Sequence, residues 1–107
     1  MIMTQINLGT YRGKNSRVFS GREEGKAARK KLNLDLLDKN QEEVEFVIPV
    51  DTLSFNTSFF LGLFGKSVRN LGENKFREIY QFQCKPIIKK SIDDGIIRAL
   101  KSSNPLG

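Results

Sequence analysis

Apolar and polar residues alternate over Met3–Leu8, with Ile6 and Leu8 set against Gln5 and Asn7, a pattern that predicts a half-buried strand. Gly9, Gly13 and Asn15 follow as turn signals, and Arg17-Val18-Phe19 predicts a second short strand. Ser20-Gly21-Arg22-Glu23 has capping-box spacing, in which the Ser20 hydroxyl accepts from the Glu23 N–H and the Glu23 carboxylate accepts from the Ser20 N–H. The helix it opens is expected over residues 21–32. Only Ala27, Ala28 and Leu32 are apolar there, so its core footprint is thin, with Lys26, Arg29, Lys30 and Lys31 in water. Residues 33–43 read as a polar connection with a weak helical turn around Leu34, Leu36 and Leu37.

Val44 to Val50 is rich in β-branched and aromatic residues and predicts a buried strand that must end, or lie unpaired, at Pro49, which has no N–H to donate. Asn56, Thr57 or Ser58 can cap the next helix and Gly72 can end it. Its apolar positions Phe59, Phe60, Leu61, Leu63, Phe64, Val68 and Leu71 cover more than one face. FREIYQF, Phe76 to Phe82, alternates and predicts a further strand. Pro86 then opens an amphipathic helix in which Ile88, Ile92, Ile96, Ala99 and Leu100 recur at helical spacing. The order of elements implies an α/β fold: a small mixed four-stranded sheet with about three helices packed on it, forming one domain over residues 1–107.

Composition narrows the function classes. A hydrophobic fraction of 38% and a charged fraction of 28% over 107 residues fit one globular domain. No apolar run is long enough to span a bilayer, and MIMTQINLGT has neither a basic n-region nor a continuous apolar stretch, so neither export nor a membrane anchor is expected. The chain has one cysteine, Cys84, and no histidine, which rules out an internal disulfide and a Cys/His zinc site and favours a cytoplasmic location. Without histidine, neither a Ser-His-Asp nor a Cys-His mechanism can be assembled from this chain, and a non-enzymatic role is expected. Charge is uneven: residues 1–32 hold eight basic and two acidic side chains, which accounts for the whole net charge of +6.

Taken together, GREEGKAARKKL, the segment FVIPVDTLSFNTSFFLGLFGKSVRNLG and the Ile-rich final helix resemble the STAS-like domain family of unknown function found in bacteria and their mobile elements. The matching residues are the pair Ser58-Phe59, then Leu63-Phe64-Gly65, then Leu71-Gly72, and the resemblance spans most of the chain. VDTLSFNTSFFLG is also similar to the strand, loop and helix of the wider STAS anti-sigma-factor antagonists. That likeness implies a regulatory, protein-binding module whose partner is a histidine-kinase-like ATPase and whose switch is a serine phosphorylated at the helix start. The serine falls at Ser58 in one register and at position 59 in another. Two features depart from the family: Pro49 stands where the strand usually ends in Asp, and Phe60, Leu61 and Gly62 stand where acidic residues usually follow.

Candidate residues follow from both readings. Ser58 and, after it, Thr57 are candidate phosphoacceptors, because free N–H groups and the macrodipole favour a phosphate at a helix start; a simple capping role is the commoner use of such a serine. Asn56, Ser58, Phe59, Phe60 and Leu61 form the candidate partner-binding surface, against the alternative that the apolar members fill the core. Arg22, Lys26, Arg29 and Lys30 form a basic patch within residues 12–31. With Tyr11 and Phe19 for stacking, that segment supports a second reading as a nucleic-acid-binding accessory protein, against the commoner solvated helix face. Gly65-Lys66-Ser67 and Gly25-Lys26 lack the residues of a phosphate loop. Asp93-Asp94 offers too few ligands for a metal, Cys84 reads as a small buried residue, and no cofactor is expected.

Overall fold

The computed structural model describes residues 4–13 and 16–101. Met3, Lys14 and Asn15 lie outside them. Strands β1 (Thr4–Asn7), β2 (Val18–Phe19), β3 (Val44–Val47), β4 (Ser54–Phe55) and β5 (Tyr80–Gln83) form two parallel sheets, ordered β1-β3-β5 and β2-β4. This corrects the expected mixed four-stranded sheet. Every ladder is parallel because helices occupy the crossovers. The ladder splits in two where the chain leaves it on both sides: Leu8–Tyr11 forms a 3-10 turn, and Pro49 interrupts the facing strand. Gly9 lies against the Pro49 ring so closely that a Cβ there would come within 2.9 Å of Cγ.

Five helices are found among the described residues, not three. Helix α1 (Arg22–Leu32) begins after Gly21, whose φ of 92° sets the entry, and no side chain caps it, so the Ser20–Glu23 capping box does not form. Its charges still complement the macrodipole, with Glu23 and Glu24 in the first turn and Arg29, Lys30 and Lys31 in the last. Asn33 takes a left-handed conformation (φ 55°), donates its N–H to the Arg29 and Lys30 carbonyls, and starts α2 (Leu34–Asn40) where a loose connection was expected. Leu34 is fully buried and anchors that helix.

The segments Thr57–Phe60, Leu61–Gly65 and Lys66–Leu71 run on as one helix, α3, because Phe60, Leu61, Gly65 and Lys66 keep right-handed helical dihedrals at the junctions; the middle segment is a π turn. Gly72, at φ 84°, stops it as expected. Helix α4 (Glu73–Ile79) takes over four residues of the expected Phe76–Phe82 strand. Phe76, Ile79 and Tyr80 stand at i, i+3 and i+4 and are all buried, so they satisfy a helical period, whereas only Phe76, Tyr80 and Phe82 fall on one face of an alternating one. Helix α5 (Pro86–Lys101) starts at Pro86 and buries Ile88, Ile92, Ile96 and Ala99 as read from the pattern, while Leu100 stays exposed.

All eight phenylalanines join one aromatic core. Phe19, Phe55 and Phe59 pack within 5.3 Å of one another by ring centroid, and Phe60 links them to Phe46, Phe64, Phe76 and Phe82. Edge-on and tilted contacts predominate, the geometry that aromatic quadrupoles favour. In the larger sheet Val44, Phe46 and Tyr80 are buried on one face, while Gln5, Asn7, Gln81 and Gln83 on the other are exposed. The strands are added in one direction, so crossovers of a single hand place the helices on one side.

Two contacts hold the helical layer. Helices α1 and α3 touch backbone to backbone: a Cβ at Gly25 would lie 2.3 Å from the Phe59 carbonyl oxygen, and one at Gly62 would lie 2.2 Å from the Arg22 carbonyl oxygen. Beside this crossing sits a buried polar cluster. Arg29 donates to the Leu63 carbonyl (2.9 Å), Ser67 Oγ (2.8 Å), Asp35 Oδ1 (2.7 Å) and Asp38 Oδ2 (2.9 Å). Asp38 also accepts from the Ser67 hydroxyl and the Tyr80 hydroxyl, each at 2.6 Å, so one carboxylate ties α2 to α3 and β5. Burial, with the Asp38 hydrogen bond second, pushes the Tyr80 phenol up and keeps it a neutral donor.

Gly25→Ala and Gly62→Ala are each expected to cost about 3 kcal/mol, because the atoms met are backbone that cannot turn aside; urea denaturation measures this, with Gly13→Ala in the exposed loop as a near-neutral control. Tyr80→Phe is expected to cost about 1 kcal/mol and Asp38→Asn about 2 kcal/mol, the latter tempered because Asp35 still faces Arg29. Equal effects of the two in the same denaturation series would show that Asp38 is not the centre of the cluster.

Candidate functional site

The short β2-β4 ladder delivers the chain to the start of α3. The Leu53 N–H donates to the Arg17 carbonyl (2.8 Å) and the Asn56 N–H to the Phe19 carbonyl (2.9 Å), which leaves Asn56 extended at φ −69°, ψ 148°. Its carbonyl accepts the first helical bond, from the Phe60 N–H at 3.0 Å. The Asn56 side chain turns away from the helix and accepts from the Ser54 hydroxyl at 3.3 Å, so no side chain caps α3. The Thr57 and Ser58 side chains therefore have no capping duty, and neither makes a hydrogen bond to another described residue. Both are half-buried.

Both residues line a surface cleft of about 530 Å³ together with Arg22, Leu61, Arg98 and Lys101. Each wall has a structural cause. Arg22 is brought over the start of α3 by the Gly25–Gly62 crossing three residues further along α1. Arg98 and Lys101 come from the last turn of α5, which is seated on α3 where the Phe60 ring fills the space a Gly95 side chain would need, 2.5 Å from the position of a Cβ. Leu61 supplies an apolar, partly buried surface. Among the described residues the lining holds three cationic side chains and no carboxylate. None of the three forms an ion pair with a described residue, although Arg12, Lys26, Arg29, Lys66, Lys75 and Arg77 all do.

The structure thus brings together Thr57, Ser58 and Leu61 with Arg22, residues the sequence placed in three different groups. Asn56 lies next to them in the chain and is exposed. Phe59 and Phe60 require correction: both are 0% exposed and belong to the aromatic core, so they present no surface to a partner in this conformation. The basic patch also divides. Arg29 is 9% exposed and its guanidinium is engaged by Leu63, Ser67, Asp35 and Asp38, which makes it an internal strut and not a surface cation. Hydrogen-bonded to it, Asp35 is held below the ordinary carboxylate range. Lys26 and Lys30 remain exposed, and Lys26 lies 3.7 Å from Glu23.

Arg98 and Lys101 were not singled out from the sequence, because they are nearly eighty residues from Arg22 and read as ordinary polar positions of an amphipathic helix. Their i, i+3 spacing places them on one face, which is the local signal available. Asp93 accepts from Arg77 at 2.9 Å, Gly65–Ser67 lies within α3, and no group of three or more His, Cys, Asp or Glu side chains is placed to hold a metal among the described residues. Cys84 is half-buried where the sequence reading expected a buried residue, and burial pushes its thiol up, away from the thiolate that a reactive cysteine needs.

No helix among the described residues is long and apolar enough to cross a membrane. No protein-family model, curated protein or solved structure matches the chain.

Proposed function

We propose that this chain is a STAS-like, non-enzymatic regulatory module that binds a protein partner, a histidine-kinase-like ATPase, around the start of α3, with Ser58 as the residue whose phosphorylation switches the complex. The observation that carries this reading is the Ser58 hydroxyl itself. It sits in the first turn of α3, half-buried at a cleft, with no hydrogen bond to another described residue. A serine serving only as a cap would have its oxygen engaged by the helix.

Other features support the same reading. The β3, loop and α3 sequence carries the residues on which the family resemblance rests, and the exposed Val50 and Leu53 adjoin that helix start through β4. The Asp51 carboxylate in the loop is lowered by its hydrogen bond from Arg12, so the loop is tied to the body of the domain. The nucleic-acid reading loses members of its patch: Arg29 is internal and Arg12 is paired with Asp51 at 2.8 Å.

With an ATPase of this type encoded beside the chain, incubation with ATP should add one phosphate by intact mass, mapped to Ser58 and absent in Ser58→Ala. Ser58→Glu should weaken capture of the same ATPase at least about tenfold, while Ser20→Glu, at an exposed site on the loop before α1, should leave it unchanged. Undiminished capture by folded Ser58→Glu would overturn the proposal.

A further inference from the structure

We infer that the cleft between α1, α3 and α5 is a receptor for a phosphate monoester carried on a small molecule, held by Arg22, Arg98 and Lys101 with the Thr57 and Ser58 hydroxyls. This goes beyond the switch described above and does not depend on any modification of Ser58.

The charge arrangement points to an anion. Three cations from α1 and α5 face one space, with no carboxylate among the described residues of the lining and no ion pair to a described residue. Like charges gathered in this way repel one another, and an anion in the cleft turns that repulsion into attraction. The donor set points to phosphate over carboxylate. Two guanidinium groups offer planar forks, Lys101 a point charge, and two hydroxyls further donors, more than the two oxygens of a carboxylate can use. A monoester presents three terminal oxygens at a charge near −2, and charge-assisted bonds to it are the strong class.

The shape points to a small ester. The cleft, at about 530 Å³, is far larger than a bare phosphate, and Leu61 gives its remaining wall an apolar character suited to the organic part. A nucleic acid strand is the less suitable anion, because no aromatic side chain among the described residues lines the cleft for a base to stack on.

The test is a titration of the full chain with inorganic phosphate and with phenyl phosphate at constant ionic strength, followed by amide chemical shifts and by the thermal midpoint. The expected result is saturable shifts confined to the neighbourhood of Arg22, Thr57, Ser58, Arg98 and Lys101, a raised midpoint, and tighter binding of phenyl phosphate than of phosphate. The double variant Arg98→Gln/Lys101→Gln, both at exposed positions that folding does not need, should weaken binding by about tenfold or more. Lys30→Gln, outside the cleft, should not alter it. Absence of saturable shifts in the wild-type chain, or undiminished binding by the double variant, overturns the inference. So does a single-stranded oligonucleotide that displaces phenyl phosphate from the same amides at lower concentration.

Discussion

The crossing of α1 over α3 at Gly25 and Gly62 is the constraint on which the rest of the helical layer depends. Carbonyl oxygens of each helix occupy the space that a methyl group on the other would need, so the two backbones are in direct contact. That closeness lets a helix as polar as α1 pack at all, since its buried residues are Gly25, Ala28 and Arg29, with almost no apolar side chain to contribute. It also carries Arg22 across to the start of α3. The cleft owes its position to an absence of side chains at two points and its character to the cations around it.

Arg29 shows how a charge becomes part of a core. Its stem follows α1 into the interface, and its guanidinium meets a carbonyl of the π turn, a hydroxyl and two carboxylates in turn. Removing a guanidinium from water is costly unless its donors are satisfied, and here four separate acceptors do so. The left-handed Asn33 makes this possible by folding α2 back so that Asp35 and Asp38 face the helix they have just left.

What was legible in the sequence follows from which interactions leave a periodic trace. The Pro49 strand end, the Gly72 stop and the Pro86 start were readable because each rests on a backbone property of one residue. The helix–strand choice over Phe76–Phe82 was not, because Phe76, Tyr80 and Phe82 fit alternation while Phe76, Ile79 and Tyr80 fit a helical period, and Gly72 permits a fresh helix at Glu73. The burial of Phe59 and Phe60 depended on the amount of surface that α1, β4 and α5 would offer, a tertiary quantity. The polar cluster left no trace at all, since a buried Arg29 looks like its neighbours in RKK. Isolated glycines within helical stretches, Gly25, Gly62 and Gly95, were the available sign of close packing. The cleft was legible from one side only: Ser58 and Thr57 from the helix start, Arg98 and Lys101 only once α5 is folded against it.

The one-sided layering has an electrostatic consequence. The bare face of the larger sheet presents Gln5, Asn7, Gln81 and Gln83, neutral amides, with Glu45 as its carboxylate, whereas Arg22, Arg98 and Lys101 are carried by the helices. Three like charges around one cleft set up a local field that orients an approaching anion before contact. The reach of that field around Arg22, Arg98 and Lys101 shortens as salt is added.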